Sequence, residues 1–147
     1  MQTCPLRLAP GDDLRVALEQ SLAHLNVQAA FVLQGIGSLS CAQLRFAGLD
    51  EPTRFTGDYE ILTLGGSLSP DGAHLHMSIA DALGNVCGGH VAPGCIVRTT
   101  AEVLVALLPA HAFSRQLDAQ TGFAELVIAP AAQQQRQTES PEPPASR

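Results

Sequence analysis

Residues 58–80 read DYEILTLGGSLSPDGAHLHMSIA, and this stretch decides the fold. Its first part, 58–68, is rich in Ile, Leu, Thr and Tyr, which is typical of a β-strand. Residues 69–72 have the chemistry of a turn, because proline presets φ and glycine accepts a positive φ. Residues 73–80 then alternate between apolar and polar side chains with the period of a strand. The stretch therefore predicts two antiparallel strands joined as a hairpin.

Glycine and proline divide the rest of the chain into further short strands and turns. Gly65 and Gly66 interrupt the first strand of the hairpin and predict a bulge or a close approach of two backbones. The segment from Gly35 to Ser38 is interpreted as a turn, because it lacks the third glycine of a dinucleotide fingerprint. A short helical turn is predicted at about 110–117. The other predicted strands are 29–33, 42–47, 86–90, 96–107 and 122–128.

One amphipathic helix is predicted near the start of the chain, at about 12–25. Its leucines and alanines recur at helical spacing, and Asp12 and Asp13 lie where a helix N-terminus favours acidic residues. One helix with six or seven strands joined by Gly/Pro turns predicts an α+β domain with a mainly antiparallel sheet. A sheet of this kind, covered by one helix, leaves an apolar face exposed, and a second copy of the chain could bury that face.

Composition restricts the classes of protein to consider. A chain of 147 residues, 46% hydrophobic, predicts one compact domain. Fourteen acidic residues against eight arginines give a net charge of −6, which argues against nucleic-acid binding through a basic surface. The N-terminus does not resemble a signal peptide, and the apolar run 103–108 is far shorter than a membrane span, so we expect a cytoplasmic protein. Residues 131–147 are rich in Gln, Pro and Glu, which predicts a disordered tail after a domain of residues 1–130.

The four cysteines do not form a recognisable framework. No Cys-x-x-Cys pair occurs, which argues against a disulfide scaffold and against a four-thiolate zinc site. Cys87 and His90 form a Cys-x-x-His pair that zinc could use, but Cys87 is equally compatible with a core position. We therefore interpret the cysteines as reduced thiols, mostly buried, and leave Cys87 out of the predicted ligand set.

Three histidines are the residues that carry candidate chemistry. His74 and His76 project from the same face of their predicted strand, with Cα atoms about 6.7 Å apart. His90 is a third candidate, since Gly88 and Gly89 let its backbone approach another element closely. Three histidines with one open position are the ligand set of a catalytic zinc site. From spacing alone, a solvated surface pair remains the alternative.

Glu60 is the candidate for a supporting role near these histidines. A carboxylate there could hold a ligating imidazole through its second nitrogen, act as a base on bound water, or take part in ligand binding. A solvated surface residue is the alternative interpretation. No residue is assigned as catalytic.

Several motifs occur together along the chain in the order of one known family. They are Leu8-x-Pro10-Gly11-Asp12-Asp13-Leu14, Gly35-x-Gly37-Ser38, Gly57-x-Tyr59-Glu60-Ile61-Leu62-x-Leu64-x-Gly66, His74-Leu-His76-x-Ser78, Asp81-x-x-Gly84, Gly88-Gly89-His90, Gly94 and Thr121-Gly122-x-x-Glu125-Leu126. In these motifs, from about residue 6 to residue 128, the chain resembles the plants and prokaryotes conserved (PPC) domain family. The resemblance is to the bacterial single-domain branch, which is related to the domain of plant AT-hook nuclear-localised proteins.

The resemblance implies a fold, an assembly and a ligand. The fold is an antiparallel sheet flanked by helices, and the assembly is a homotrimer. The bacterial branch carries His-x-His and Gly-Gly-His motifs, which here are His74, His76 and His90 and imply a bound divalent metal, with zinc favoured. Plant members bind DNA through a fused Arg-Gly-Arg-Pro segment, and bacterial members often carry DNA-binding names through that kinship. No Arg-Gly-Arg-Pro occurs in this chain.

Three functional hypotheses follow from the residues and the resemblance. The first is a homotrimeric protein that binds a divalent metal and a small ligand, with enzyme activity left open. The second is a DNA-associated regulatory protein, which the charge of the chain opposes. The third is a trimerisation and protein-interaction module. The sequence does not identify a substrate.

Overall fold

The computed structural model describes residues 2–131, which form eight strands and one helix. The elements are β1 (Gln2–Leu8), α1 (Leu14–His24), β2 (Ala30–Arg45), β3 (Thr53–Ser69), β4 (Gly72–Ala80), β5 (Val86–Val91), β6 (Ile96–Leu107), β7 (His111–Leu117) and β8 (Ala124–Pro130). The tail predicted at 131–147 lies outside the described residues, apart from residue 131.

The strands form one large antiparallel sheet and one separate hairpin. Six strands pair in the order β1-β6-β2-β3-β4-β5, and β7 pairs with β8. The far end of β2 also pairs with β5, Leu44 opposite Val91 and Arg45 opposite His90. This pairing closes β2, β3, β4 and β5 into a small barrel. The predicted α+β class with a mainly antiparallel sheet is confirmed.

Helix α1 confirms the predicted amphipathic helix and lies against the inner face of the sheet. Leu14, Leu18 and Leu22 are buried in the core. Asp13 is the N-cap, and its Oδ1 accepts hydrogen bonds from the backbone N–H groups of Arg15 and Val16 at 3.1 and 3.3 Å. Its other carboxylate oxygen accepts from the backbone N–H of Gly94 at 2.6 Å. One side chain thus begins the helix and attaches it to the loop before β6.

The turn interpreted at Gly35–Ser38 is wrong, because these residues lie inside the long strand β2. A Cβ added to Gly37, where φ is +147°, would lie 2.3 Å from the carbonyl oxygen of Thr100. A Cβ on Gly35 would lie 2.9 Å from a methyl carbon of Leu64. These glycines allow the strand to pack closely against its neighbours. The sequence alone does not distinguish a glycine with this role from a glycine in a turn.

The helical turn predicted at 110–117 is also wrong. Residues His111–Leu117 form β7, which pairs along its whole length with β8. Strand β1 was not predicted; it contains Pro5 and lies at the edge of the sheet, where a missing N–H is tolerated. Strand β1 depends on a partner distant in sequence, β6, whereas β7 forms a hairpin with the next strand, β8. The family resemblance implied flanking helices, but the described residues contain one helix, α1.

The glycine pair of β3 marks a close approach of two backbones. Gly65 and Gly66 stay in register with His76 and Leu75 of β4. At Gly66 φ is +146°, and an added Cβ would lie 1.9 Å from the carbonyl oxygen of His74. The register shift between β3 and β4 falls elsewhere, between Ile61 and Thr63.

Across residues 2–131, no helix is long and apolar enough to cross a membrane.

Candidate metal centre

The pairing of β4 with β5 brings the three predicted histidines together on the outer face of the barrel. On β4, Leu75 and Met77 are buried in the core. They alternate with His74 and His76, which therefore project from the opposite face. His76 lies directly opposite His90 of β5 in the antiparallel register. Residues paired in this way project to the same side of a sheet. Strand alternation and register therefore place all three imidazoles together.

The three imidazole rings are in direct contact range. Ring centroids lie 5.1 Å apart for His74 and His76, 5.2 Å for His74 and His90, and 5.7 Å for His76 and His90. The Nε2 atoms of His74 and His76 are 3.3 Å apart. Each ring offers a nitrogen within 4.8 Å of the nitrogens offered by the other two. Small side-chain rotations could bring three such nitrogens to one ion with bonds of about 2.0 to 2.1 Å.

His90 shows best that the arrangement fits a metal ion. Its Nδ1 is buried and has no hydrogen-bond partner among the described residues. A buried nitrogen without a partner is unfavourable, and a metal ion would supply the missing interaction. Burial first, then the charges of His74 and Arg45, lower the pKa of His90 to about 4. The imidazole is therefore neutral at pH 7, the form that binds metal.

The pKa of His74 is also lowered by burial and by neighbouring charges. Burial is the largest cause that lowers the pKa of His74, followed by the charges of Arg115 and His76. Glu125 on β8 acts in the opposite direction, and Arg15 adds a small further lowering. A partly enclosed set of three imidazole nitrogens suits a borderline divalent ion such as Zn²⁺.

The glycines beside His90 have the role predicted for them. A Cβ on Gly88 would lie 2.7 Å from the carbonyl oxygen of Met77, and a Cβ on Gly89 would lie 2.7 Å from that of Arg45. Strand β5 therefore fits between β4 and β2 only because these positions lack side chains. The close fit fixes the position of the His90 backbone.

The structure does not bring Glu60 to the histidines of its own chain. Glu60 is exposed on β3 opposite Ala80, whereas Gly65 is the residue opposite His76. Five residues of extended strand separate Glu60 from Gly65, about 15 Å. Its supporting role therefore stays a prediction without a contact in the described residues.

Cys87 faces away from the three histidines. It pairs with Ile79 and packs against the core, on the side of β5 opposite to His90. Burial raises the pKa of its thiol. The geometry agrees with leaving Cys87 out of the ligand set.

Sequence reasoning missed the residues that the β7–β8 hairpin contributes. Nη2 of Arg115 donates a hydrogen bond to Oγ of Ser67 at 2.9 Å, and Ser67 is the register partner of His74. Glu125 of β8 lies close enough to raise the pKa of His74. The motif Thr121-Gly122-x-x-Glu125-Leu126 was the signal available in sequence. Without the β7–β8 pairing, nothing connected it with the histidines.

Comparison with known families agrees with this geometry. The profile of the Plants and Prokaryotes Conserved (PCC) domain matches residues 1–109. The chain belongs to this family. The assignment confirms the PPC resemblance of the motifs. The β7–β8 hairpin, which carries Arg115 and Glu125, follows the residues that the PCC profile matches.

Curated relatives of this PCC-domain chain are much longer proteins. The chain is 50% identical over 128 residues, 87% of its length, to the bifunctional protein GlmU of Synechococcus sp. (strain JA-2-3B'a(2-13)). A second Synechococcus GlmU is 48% identical over 128 residues. The chain spans about a fifth of the length of these relatives, 20% and 21%.

Solved structures share the PCC fold. A hypothetical protein from Salmonella is 39% identical with a TM-score of 0.87, covering 89% of this chain and 95% of that one. A metal-containing protein from Archaeoglobus fulgidus is 27% identical with a TM-score of 0.73, covering 86% and 94%. A Ralstonia eutropha protein, provisionally named as DNA-binding, is 24% identical with a TM-score of 0.69, covering 85% and 89%. At that identity the likeness shows the fold alone.

Proposed function

We propose that this PCC-domain protein is a homotrimer that binds one divalent metal ion per subunit, most favourably Zn²⁺, through His74, His76 and His90, together with a small ligand. The observation that carries the proposal is the buried, unpartnered Nδ1 of His90 beside two further imidazoles. The name of the Archaeoglobus fulgidus relative, a metal-containing protein, supports it.

The chemistry of the site supports a ligand-binding rather than a purely structural metal. Structural zinc sites are closed by four protein ligands, whereas three histidines leave one coordination position for another molecule. Within residues 2–131, the only cluster of three or more His, Cys, Asp or Glu side chains with this spacing is the histidine trio. An ion bound there would supply a Lewis acid at the outer face of the barrel.

The apolar face of the sheet supports the trimer. Leu33 and Ile36 of β2 are each 50% exposed, and Leu104 of β6 is 39% exposed. Ile36 and Leu104 line a groove of about 530 Å³, whose lining also includes Arg7 and Glu102. Helix α1 covers the other face of the sheet, so these residues remain uncovered within one chain. A second subunit would remove them from water.

Elemental analysis of the full chain tests the proposal. The protein is purified without chelator and without a metal-affinity step, and metal is counted per chain. We expect about one equivalent of a divalent ion, or a one-to-one gain on addition of Zn²⁺ with a rise in melting temperature. A chain that contains no metal and gains no stability from Zn²⁺ would reduce the site to a histidine cluster.

A further inference from the structure

The guanidinium of Arg115 is held in place beside the metal centre by the β7–β8 hairpin. The backbone N–H of Arg115 donates to Oδ2 of Asp71, in the turn between β3 and β4, at 2.7 Å. Two residues earlier, Phe113 is buried and meets Phe31 edge to face at 5.5 Å. The hairpin therefore packs on the outer face of the barrel, on the same side as the histidines.

Ser67 links Arg115 to the first of the three histidines. Its hydroxyl accepts a hydrogen bond from Nη2 of Arg115 at 2.9 Å. Ser67 and His74 are directly opposite each other on β3 and β4, so their Cβ atoms lie about 5 Å apart on one face. The guanidinium of Arg115 therefore lies beside the imidazole of His74, although the two groups are not hydrogen-bonded to each other.

Arg115 retains unused hydrogen-bonding capacity toward the centre. A guanidinium has five N–H donors, and the side chain uses one of them on Ser67. Among residues 2–131, the two ion pairs are Arg15 with Glu19 and Arg98 with Asp58, so Arg115 has no carboxylate partner there. A positioned guanidinium with free N–H donors can bind an anion.

The charges around the trio favour an anion. Arg45 lies opposite His90 in the register of β2 and β5, and its guanidinium donates a hydrogen bond to the carbonyl oxygen of Leu49 at 3.1 Å. Arg15 is already paired with Glu19 at 3.0 Å. Glu125 of β8 is next to Leu126, the register partner of Arg115, and is a negatively charged residue near His74. A divalent ion held by three neutral imidazoles would add two further positive charges, so the occupied site has a positive excess.

Space for a ligand exists beside His76, among the residues that are directly opposite one another on adjacent strands. The register runs from Arg45 through His90 and His76 to Gly65. Gly65 has no side chain, and a Cβ built there would have only the carbonyl oxygen of Val32 within 4 Å, at 3.7 Å. The position beside His76 is therefore open above the backbone of β3.

We propose that the small ligand of this site is an oxyanion, a carboxylate or a phosphate group, and that Arg115 determines this preference. With a metal ion bound by His74, His76 and His90, one oxygen of the anion would coordinate the ion and another would accept a hydrogen bond from the guanidinium of Arg115. The planar fork of arginine matches both kinds of oxyanion. This inference rests on the metal-binding function proposed above.

The test uses the full chain loaded with Co²⁺, whose visible absorption reports changes in coordination. The loaded protein is titrated separately with acetate and with inorganic phosphate. We expect a saturable spectral change in the wild type and an apparent Kd about tenfold to a hundredfold higher in Arg115→Gln. Arg115→Lys keeps the charge without the fork and should fall between the two. Arg54→Gln is the matched control, since Arg54 is exposed at the start of β3, whereas Gly65, the register partner of His76, lies near the end of that strand.

The outcomes separate this inference from the function on which it rests. A response to acetate alone assigns the ligand to the carboxylates, and a response to phosphate alone assigns it to the phosphates; either supports the proposal. If Co²⁺ binds but neither anion changes the spectrum, the inference is overturned and the metal site stands. Equal titrations of the wild type and Arg115→Lys or Arg115→Gln overturn the role of Arg115. A chain that binds no Co²⁺ overturns both proposals.

Discussion

His76 and His90 lie directly opposite each other on β4 and β5, with ring centroids 5.7 Å apart and ring planes at 79°. The hydrogen-bonded ladder of the sheet sets their separation, so it does not depend on the conformation of a loop. A substitution of either side chain should therefore remove one ligand and leave the backbone of the site in place.

His76→Ala should lose most of the bound metal while the protein stays folded. His76 is exposed, and the core side of its strand, with Leu75 and Met77, is unchanged. Two remaining imidazoles bind zinc much more weakly than three. Metal per chain by elemental analysis and circular dichroism check this prediction. His24→Ala, an exposed histidine at the end of α1, is the control. Full metal content in His76→Ala would contradict the site.

Metal should be retained at lower pH than the free histidine side chain suggests. From the sequence alone, affinity is expected to fall as pH drops through about 6.5, because protons compete with the metal for imidazole nitrogen. The lowered pKa of His74, and that of His90 at about 4, weaken this competition. Zn²⁺ titrations at a series of pH values should therefore show the loss of affinity below pH 6.5. A midpoint at or above that value would contradict the lowered pKa values.

The metal-free protein should lose stability as pH falls from about 6.5 to about 4. Over this range the unfolded chain binds a proton at residue 90 that the folded chain excludes, because the pKa of His90 in the fold is about 4. The contribution is therefore present above pH 6.5 and is lost toward pH 4. The difference in free energy of unfolding between the wild type and His90→Asn, followed against pH, isolates it from the carboxylates. A difference that does not change with pH would rule it out.

Gly66→Ala should destabilise the fold far more than Gly48→Ala. Both glycines have positive φ, +146° and +75°, which costs an alanine about 1 kcal/mol or more. Only at Gly66 would the new Cβ also meet backbone, 1.9 Å from the carbonyl oxygen of His74, whereas Gly48 has open space. We expect a loss of about 2 to 4 kcal/mol for Gly66→Ala in denaturant unfolding. Equal losses would mean that the close approach of β3 and β4 is not required.

Light scattering at micromolar concentration should give the mass of three chains rather than that of one 15.4 kDa chain. Ile36→Glu introduces a charge where the side chain is half exposed in the apolar groove, and should shift the protein toward smaller species without unfolding it. Glu51→Lys is the control, because Glu51 is exposed and lies outside the sheet. A chain ending at Pro130 should keep the stoichiometry of the full chain. A monomeric wild type would contradict the trimer.

DNA binding should be weak at physiological salt. Non-specific affinity depends on cations that neutralise phosphates, and the chain has a net charge of −6. A gel-shift titration of AT-rich duplex at ~150 mM salt should show no complex at sub-micromolar protein. A complex at that concentration would favour the DNA-associated hypothesis over the metal-binding one.

The sequence predicts the parts of this fold that local patterns determine. The alternation at 73–80 places His74 and His76 on one face, and Asp13 before an apolar stripe predicts the start of α1. The missed features depend on pairing with another strand, which is distant in sequence for β2 and adjacent for β7. Glycines inside β2 resemble a turn until β6 lies beside them, and β7 has no clear strand pattern without β8. Arg115 reaches the site only through that hairpin.

Strand β2 pairs a second time, through Leu44 and Arg45, with β5. Hydrogen-bonded pairing is therefore continuous around β2, β3, β4 and β5, a closed hoop of strands. His90 has no loose strand edge on either side, since β4 and β2 both hold its strand. Moving this histidine away from the other two would require breaking the hoop. The protein has therefore met the entropic cost of assembling two strands of the site during folding, so metal capture should need little more than side-chain rotation.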